Sequence, residues 1–481
     1  MKKEIQETSQ KCLNESATHH KHKKEVFPVK EMIAEAAEKL KRKLEVFFEE
    51  PGKTLDEAER YLGEEISRTV CKLLGAYYEK LDTQLREDKV GRREDGLVVE
   101  RRGEKREVIS LIGTVRYERT YYRRRAGGYE YPVDAVVGLE PYQRVSGGVG
   151  QALVETCCKM SYGKSSEVVT GGRVSRQTVM HKVRQSAVPE PPAIERKHVA
   201  ALHIDADEDH VTMVGGKNSI VPLVNVYEGI EKRGKRGICR NKFNISEFGK
   251  KPEELWEEVL DEIERRYDLE GTTLYLHGDG APWIKQGLEW LPKCKFVLDR
   301  YHKNKALKQA VSGMPRDAGA QYDKLLRTAF AEDDKEFFSN VVECMVLNYP
   351  EREEKIREAT DYLLDNFDAI TICSKDPEAT NGGATEPHVS NTLSARISSR
   401  PMAWSAETLR HLVPILAAGR CELRREAQES RQTVVPLRKL LQPHGCKVVE
   451  FPLGLADPDT AVSLPGRTGK VTPLFNALRP F

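Results

Sequence analysis

The sequence predicts an α/β catalytic core that carries a large all-helical insertion and follows a mostly helical N-terminal region. Three observations lead there. Short apolar runs alternate with amphipathic stretches between Val199 and Leu298 in the order β-β-β-α-β-α-β. Two of these runs end on acidic tips. Leu274–Leu276 delivers Asp279 between Gly278 and Gly280, and Phe296–Leu298 ends on Asp299, with His302 three residues further. From Lys303 to Ile372 the spacing is helical, as in Phe337, Val341, Val342 and Met345, or Ile356, Ala359 and Leu363.

At 481 residues the chain is long enough for two to four domains, each with its own core. Mean hydropathy is −0.57 and charged residues make up 32%, and no run approaches the roughly 18 apolar residues of a membrane span. The N-terminal MKKEIQETSQK has no apolar segment behind its basic residues, so no secretion signal is expected and the location expected is cytoplasmic. Ten cysteines occur without a single CxxC pair, and Cys157 and Cys158 are adjacent, which suits reduced thiols rather than a zinc ribbon or a disulfide framework. Net charge is +2, from 77 Lys+Arg against 75 Asp+Glu. A nucleic-acid role would therefore rest on local segregation of charge, not on global basicity.

In chain order, residues 1–85 form a helical region suited to self-association. Apolar positions recur from Val29 to Phe47 and from Ala58 to Tyr77. Residues 86–148 begin as a solvated connector with a short strand. A β-hairpin over 108–122 follows, turning at Gly113, and its far end interleaves Arg116, Arg119, Arg123, Arg124 and Arg125 with Tyr117, Tyr121 and Tyr122. Arginines that reach phosphates beside tyrosines would make a DNA-contacting ribbon, while the plainer reading is an edge strand blunted by charge. Residues 149–187 read as helix, Gly171-Gly172 turn, and a polar helix capped by Ser175, a helix-turn-helix-like pattern. That helix would offer Arg173, Arg176, Gln177, Lys182 and Arg184 to DNA, or simply pack. The proline-rich stretch 188–198 reads as a linker.

The core then opens with a strand at Val199–Ile204 that ends in Asp205-Ala206-Asp207-Glu208-Asp209. Strands at Val211–Val214 and Ile220–Tyr227 follow, and then an amphipathic helix from Pro252 to Tyr267. The whole order, through 199–302, is that of a ribonuclease H-like fold, in which a carboxylate on the first strand lies beside one just after the fourth. The helical insertion covers 303–378. Within 379–445, Thr385 as cap and Pro387 in the first turn start a helix that places Glu386 near the strand ends, with the basic run Arg396–Arg400 behind it. Helix continues over 405–445, and 446–481 forms a tail rich in proline and glycine. Trp283 and Trp404 read as core aromatics.

Acidic groups brought together from separate segments repel one another unless a cation lies between them. Oxygen ligands of this kind suit Mg²⁺ or Mn²⁺. Two such ions about 4 Å apart activate a water or a 3′-hydroxyl and stabilise the leaving oxygen of a phosphodiester. Alternation along a strand puts Asp205, Asp207 and Asp209 on one face, so periodicity does not choose among them.

The strings HIDADEDHV, HGDGAPWIKQGLEWLP, FVLDRYHKNKAL and TEPHVSNTLSARISSRPMAWS together resemble the ISLre-type bacterial insertion-sequence transposases, whose layout is similar to that of Mutator-type transposases. The resemblance spans nearly the whole chain. It implies a DDE transposase that cuts at the ends of its own element and joins the freed 3′-hydroxyls to target DNA. Carried over, the catalytic and metal-binding triad is Asp207, Asp279 and Glu386, with Asp205 and Asp209 as alternatives for the first acid. Asp279 lies 72 residues beyond Asp207 and Glu386 a further 107. Asp299 and His302 match an Asp/Cys-x-x-His element that supports the site in Mutator-like enzymes. The implied ligands are two Mg²⁺ ions and DNA, held by the basic segments named above together with Arg396 and Arg400, and the implied assembly is a homodimer or larger. The rival expectations are a nuclease on the same fold that joins no strands, and a DNA-binding regulator whose carboxylates are relics.

Overall fold

The structure, a computed structural model, describes residues 29–190, 194–234, 236–383 and 388–423. These fall into two compact units, one within Met1–Ser146 and one within Gly147–Ala427. The division therefore precedes the helix-turn-helix-like segment instead of falling in the proline-rich 188–198 stretch. Two ties explain this: a short strand at Ser186–Ala187 (β4) pairs with Glu422–Leu423 (β14), and Arg184 bonds to Ser405 and Thr408.

In the first unit, helices α1 (Val29–Glu49) and α2 (Leu55–Glu87) are joined by a turn that ends in a capping box. Thr54 accepts from the Glu57 amide, and the Glu57 carboxylate accepts from the Thr54 amide. A six-residue helix, α3 (Lys89–Glu94), leads into strand β1 (Leu97–Ser110), which pairs antiparallel with β2 (Gly113–Arg124), and β2 pairs with β3 (Tyr129–Glu130). The hairpin is longer than its apolar alternation suggests, because residues 97–107 form an edge strand whose charged side chains mostly face solvent, Arg106 excepted, which turns inward to the Gln143 carbonyl and Asp134. A short helix, α4 (Pro132–Val136), completes a small core of Cys71, Leu81, Val115, Tyr117 and Val133. Gly75 is required here, since a Cβ would collide with the Arg116 carbonyl of the strand packed on α2.

The second unit opens with α5 (Gly147–Cys157), α6 (Tyr162–Thr170) and α7 (Arg176–Arg184). Gly171 ends α6 in the left-handed region at φ 62°, and Ser175 caps α7 by accepting from the Thr178 amide. The central sheet has five strands in the spatial order β10-β7-β6-β12-β13. Strands β6 (Ala201–Thr212), β7 (Asn218–Tyr227) and β10 (Phe243–Ile245) are antiparallel neighbours, whereas β12 (Thr273–Gly278) and β13 (Cys294–Leu298) run parallel to β6. Three strands of the central sheet do precede the helix, but they are not the expected three. The first two expected strands are one continuous strand, β6, with Asp205–Asp209 inside it. The third is β10, preceded by a hairpin of β8 (Ile230–Arg233) and β9 (Arg236–Cys239). Acidic residues have low strand propensity, so the sequence breaks the pattern where the backbone does not.

Helix α8 (Pro252–Arg266) lays Leu255, Trp256, Val259 and Ile263 on one face of the sheet, against Leu202, Ile204, Ala206, Val224, Leu274 and Leu276. A two-residue parallel pair, β5 (Lys197–His198) with β11 (Tyr267–Asp268), extends this layer. The connection from β12 to β13 is two single turns, α9 (Pro282–Lys285) and α10 (Gly287–Trp290). Beyond β13 come α11 (Arg300–Val311), α12 (Arg316–Glu332), α13 (Lys335–Asn348), α14 (Glu353–Asp365) and α15 (Phe367–Lys375), which enclose Leu307, Leu326, Phe330, Phe338, Met345, Leu363 and Phe367. A helical stretch over 388–397 contains a π turn. Helix α16 (Ala406–Ala418) ends at Gly419, φ 65°, so helix does not run on from 405 as expected, and the remainder of 405–445 from 424 lies outside the described residues, as does the tail.

Candidate active site

Register places the acids. Along β6 and β12, Asp205 pairs with His277, and along β12 and β13, Gly278 pairs with Leu298. One residue past the Gly278–Leu298 pair come Asp279 and Asp299, and two residues past the Asp205–His277 pair the same register sets Asp207 level with Asp279, on adjacent parallel strands whose spacing is about 4.8 Å. The Asp299 amide donates to the Gly278 carbonyl (2.9 Å), which holds the last two tips together. Asp279 Oδ1 accepts from the Ala281 amide (2.8 Å) and Asp299 Oδ1 from the Tyr301 amide (2.7 Å), so each carboxylate folds back over its own turn. Asp299 thereby caps α11, and its Oδ2 lies 3.5 Å from His302 Nδ1. Tyr362 of the helical insertion donates to the Asp279 carbonyl (2.7 Å). The strand tips and the insertion thus build this site jointly.

The electrostatics match the geometry. Burial, together with the negative charges of Asp279 and Asp299, pushes the Asp207 carboxyl up to about 6, against the opposing pull of the Glu208 amide and His302. His302 is raised by its bond to Asp299 and by the charges of Asp299, Asp279 and Asp207, in spite of burial. Asp207, Asp279, Asp299 and His302 are therefore one electrostatic cluster. The structure separates Asp207 from its two neighbours on the same strand face. Asp209 accepts the Ser398 hydroxyl on both oxygens at 2.9 Å, and Asp205 is fully buried among donors.

The Asp205 surroundings were not legible in the sequence. Tyr227 donates to Asp205 Oδ1 (2.9 Å), the Gly383 amide donates to the same oxygen (3.1 Å), and His388 Nδ1 lies 3.4 Å from Oδ2. Below it, His203 Nδ1 and His277 Nε2 are 3.2 Å apart, and Gly382 packs flat on both rings, where a Cβ would land on the imidazoles. Burial pushes His277 down to about 4, so it is neutral at pH 7. Burial alone would raise Asp205, but the hydrogen bonds and neighbouring imidazoles outweigh it and hold the carboxyl below its ordinary range. The one sequence signal was the period-two run His203, Asp205, Asp207, Asp209. It identifies a polar strand face but not which acid does what.

Glu386, with Thr385 and Pro387, lies outside the described residues. Among the described residues no three His, Cys, Asp or Glu side chains are grouped closely enough to hold a metal ion. The donor chemistry nonetheless fits a hard divalent cation. Asp207 and Asp279 each give Oδ1 to a backbone amide and have no hydrogen bond to Oδ2 among the described residues, and their mutual repulsion is what a cation relieves.

The basic residues divide into two sets. Arg173, Arg176 and Gln177 are exposed at the start of α7, and Arg125 and Arg400 are exposed as well. Lys182 is half-buried and bonds Gln185 (2.8 Å). Arg116, Arg123 and Arg124 pair with Glu107, Glu100 and Glu130 across the hairpin. Three expected DNA contacts are instead structural. Arg119 is buried, ion-paired with Asp134 and stacked 3.5 Å from the Tyr131 ring centre. Arg184 reaches Glu407 (2.6 Å), Ser405 and Thr408. Arg396 is buried, donates to the Cys157 carbonyl and lies over Trp404. In each case a neighbouring acid or carbonyl was available to satisfy the guanidinium, which a sequence pattern does not display. Trp404 is buried, as expected, while Trp283 donates to Glu208 (2.7 Å) beside the acid row. The eight cysteines among the described residues are free thiols.

Residues 49–432 match an uncharacterised protein family, UPF0236. A UPF0236 protein of Caldanaerobacter subterraneus subsp. tengcongensis, whose name joins eleven locus labels, is 40% identical over 341 residues, covering 70% of this chain and 71% of its own. Another from the same organism, with four locus labels, is 38% identical over 341 residues, covering 70% and 71%. A third, from Streptococcus gallolyticus and named as a UPF0236 protein in the vanSb 3′ region, is 24% identical over 387 residues, covering 76% and 83%. By the extent of the match and the identity to these relatives, the chain belongs to the UPF0236 family.

Proposed function

We propose that this protein is a DDE transposase of a bacterial insertion sequence, which cuts element ends and joins the freed 3′-hydroxyls to target DNA. The observation that carries this reading is that Asp279 and Asp299, just past the ends of two parallel strands, stand beside Asp207 on the neighbouring strand and share its electrostatics. The 3-2-1-4-5 strand order, with its second strand antiparallel, supports a ribonuclease H-like core. Asp207, Asp279 and Glu386 would hold Mg²⁺ or Mn²⁺, which supplies Lewis-acid stabilisation of charge on the phosphodiester oxygens.

The chain's own residues do the rest. Asp207 must be ionised to bind a cation, and His302, itself raised by its bond to Asp299, favours this state against the charges of Asp279 and Asp299. The exposed face of α7, with Arg173, Arg176 and Gln177, suits contact with an element end, as do Arg125 and the outer hairpin arginines. In the first unit, Phe48 (57% exposed), Leu55 (73%) and Ile66 (47%) leave apolar surface on α1 and α2 that suits association with a second copy. No described helix is long and apolar enough to cross a membrane, which accords with a role on chromosomal DNA in the cytoplasm.

Relatives whose names join eleven and four loci of one organism support a mobile element, since a sequence that copies or moves itself accumulates in this way. The deciding experiment offers the protein a precut DNA end from the flanks of its own reading frame, with a target plasmid and Mg²⁺. Strand joining that Asp279→Asn abolishes is expected. Cutting without joining would favour the nuclease reading. Tight DNA binding with neither reaction would favour the regulator.

A further inference from the structure

We propose that the tyrosine-bearing side of the β1-β2-β3 sheet is a stacking platform for unpaired DNA bases, with Tyr129 and Tyr142 as its contacting rings. This rests on the reading that the protein acts on DNA, and it names the form of DNA that the first unit takes. Register sets Arg101 opposite Tyr121 and Tyr129 opposite Arg123, so these side chains share one side of the sheet. They form a stack. Arg119, ion-paired with Asp134, lies 3.5 Å from the Tyr131 ring centre, and Tyr131 leans on Tyr121 with ring centres 4.8 Å apart. Arg101 lies 4.9 Å from the Tyr121 ring centre, and Tyr129 stacks on Tyr121 at 5.2 Å with the planes 8° apart. The inner end is fixed and the outer end is open: Arg119 is buried, whereas Tyr129 is 53% exposed. Tyr142 is 92% exposed, at φ 61°, a backbone conformation uncommon for a bulky side chain. Arg106 pins the loop that carries it, donating to the Glu140 and Gln143 carbonyls (3.2 and 2.7 Å). Desolvation raises the Tyr121 hydroxyl, and Tyr131, Tyr129 and Tyr142 raise it further against the pull of Arg101, so Tyr142 belongs to the same cluster.

The core of this unit lies elsewhere, among Cys71, Leu81, Val115, Tyr117 and Val133, so packing does not account for Tyr129 and Tyr142. A base offers a flat π-face to such rings, and within a duplex that face is covered by the neighbouring pairs. Only unpaired bases can therefore stack here, and any base will do, because each has such a face. The charge suits the phosphates that accompany them. Residues 97–131 hold nine arginines and lysines against five glutamates, so the hairpin is basic although the chain as a whole is nearly neutral. Arg102 and Arg125 are exposed, and among the described residues no carboxylate pairs with them. The stack is assembled before any ligand arrives, so little side-chain freedom is lost on binding.

The test measures binding of the full chain, without divalent metal, to a labelled mixed-sequence single strand of DNA and to the matching blunt duplex by fluorescence anisotropy. Tyr129→Ala and Tyr142→Ala are each expected to weaken single-strand binding about tenfold and duplex binding by less than about twofold. Tyr129→Phe keeps the ring and should bind like the parent, and because both tyrosines are exposed, an unchanged melting temperature checks that the alanine variants fold. If the alanine variants bind the single strand like the parent, or lose duplex binding equally, the platform is wrong and the DNA reading stands. If an RNA strand of the same sequence binds more tightly than the DNA and alone responds to the two substitutions, the ligand is RNA and the proposal fails. If the parent binds neither form of DNA, the DNA reading fails and the platform fails with it.

Discussion

Asp205 and Asp207 sit two residues apart on one face of one strand, yet their surroundings are opposite. Asp205 is fully buried, accepts from the Tyr227 hydroxyl and the Gly383 amide and has imidazoles close by, and these outweigh burial and keep its carboxyl below the ordinary range. Asp207 faces two other carboxylates near the strand tip and is pushed up to about 6. The first acid is held stable by its partners, and the second is held in a strained state that a cation or a proton relieves. The same division separates buried Arg396 from exposed Arg176. The contrast teaches that charge in this chain does two jobs, and that burial with complete hydrogen bonding marks the structural one.

The sharpest way to break the contrast is Asp279→Asn. It is expected to reduce Mg²⁺-dependent cleavage by about a thousandfold or more, roughly 4 kcal/mol, while thermal unfolding without metal shows no loss of stability. Next comes Arg396→Ala, which strips the Cys157 carbonyl and the Trp404 ring of their partner. It should destabilise the fold by about 2–3 kcal/mol in chemical denaturation. A variant of normal stability with weakened DNA binding would instead return Arg396 to the DNA-contacting set.

A smaller effect has the opposite sign. Asp207→Asn removes the like-charge strain and should stabilise the metal-free protein by about 1–2 kcal/mol at pH 7. Because the folded carboxyl at about 6 lies above the unfolded value of about 4, the native state binds the proton more tightly. Stability from this group is present below pH 4 and is lost as pH rises through 6. The variant should flatten that slope, and adding Mg²⁺ should raise the melting temperature of the parent but not of the variant. The smallest expected change is Arg176→Ala, which should reduce the salt dependence of DNA binding by about one counterion and leave folding untouched.

Much of the fold was written in local pattern. Short apolar runs marked β7, β12 and β13, the 3.6 spacing marked α8 and the insertion, and Ser175 and Gly171 marked the start of α7 and the end of α6. Where pattern failed, a tertiary partner had overridden propensity. Strand β6 continues through four charged residues because β7 pairs with it without a break from His203 to Thr212, while β12 pairs with it as far as Asp205. Helix α16 stops at Gly419 and leads into β14, which pairs with a strand more than two hundred residues earlier.

The sequence by itself determined that acids would stand at strand tips, because glycines flank Asp279 and an apolar run ends at Asp299. It also determined that Asp205, Asp207 and Asp209 share a face, because side chains alternate along any strand. Only the tertiary structure decided which of them meets Asp279 and Asp299 and which is spent on Tyr227 and His388. That choice depends on the register between strands and on partners arriving from distant segments, and no local spacing encodes either.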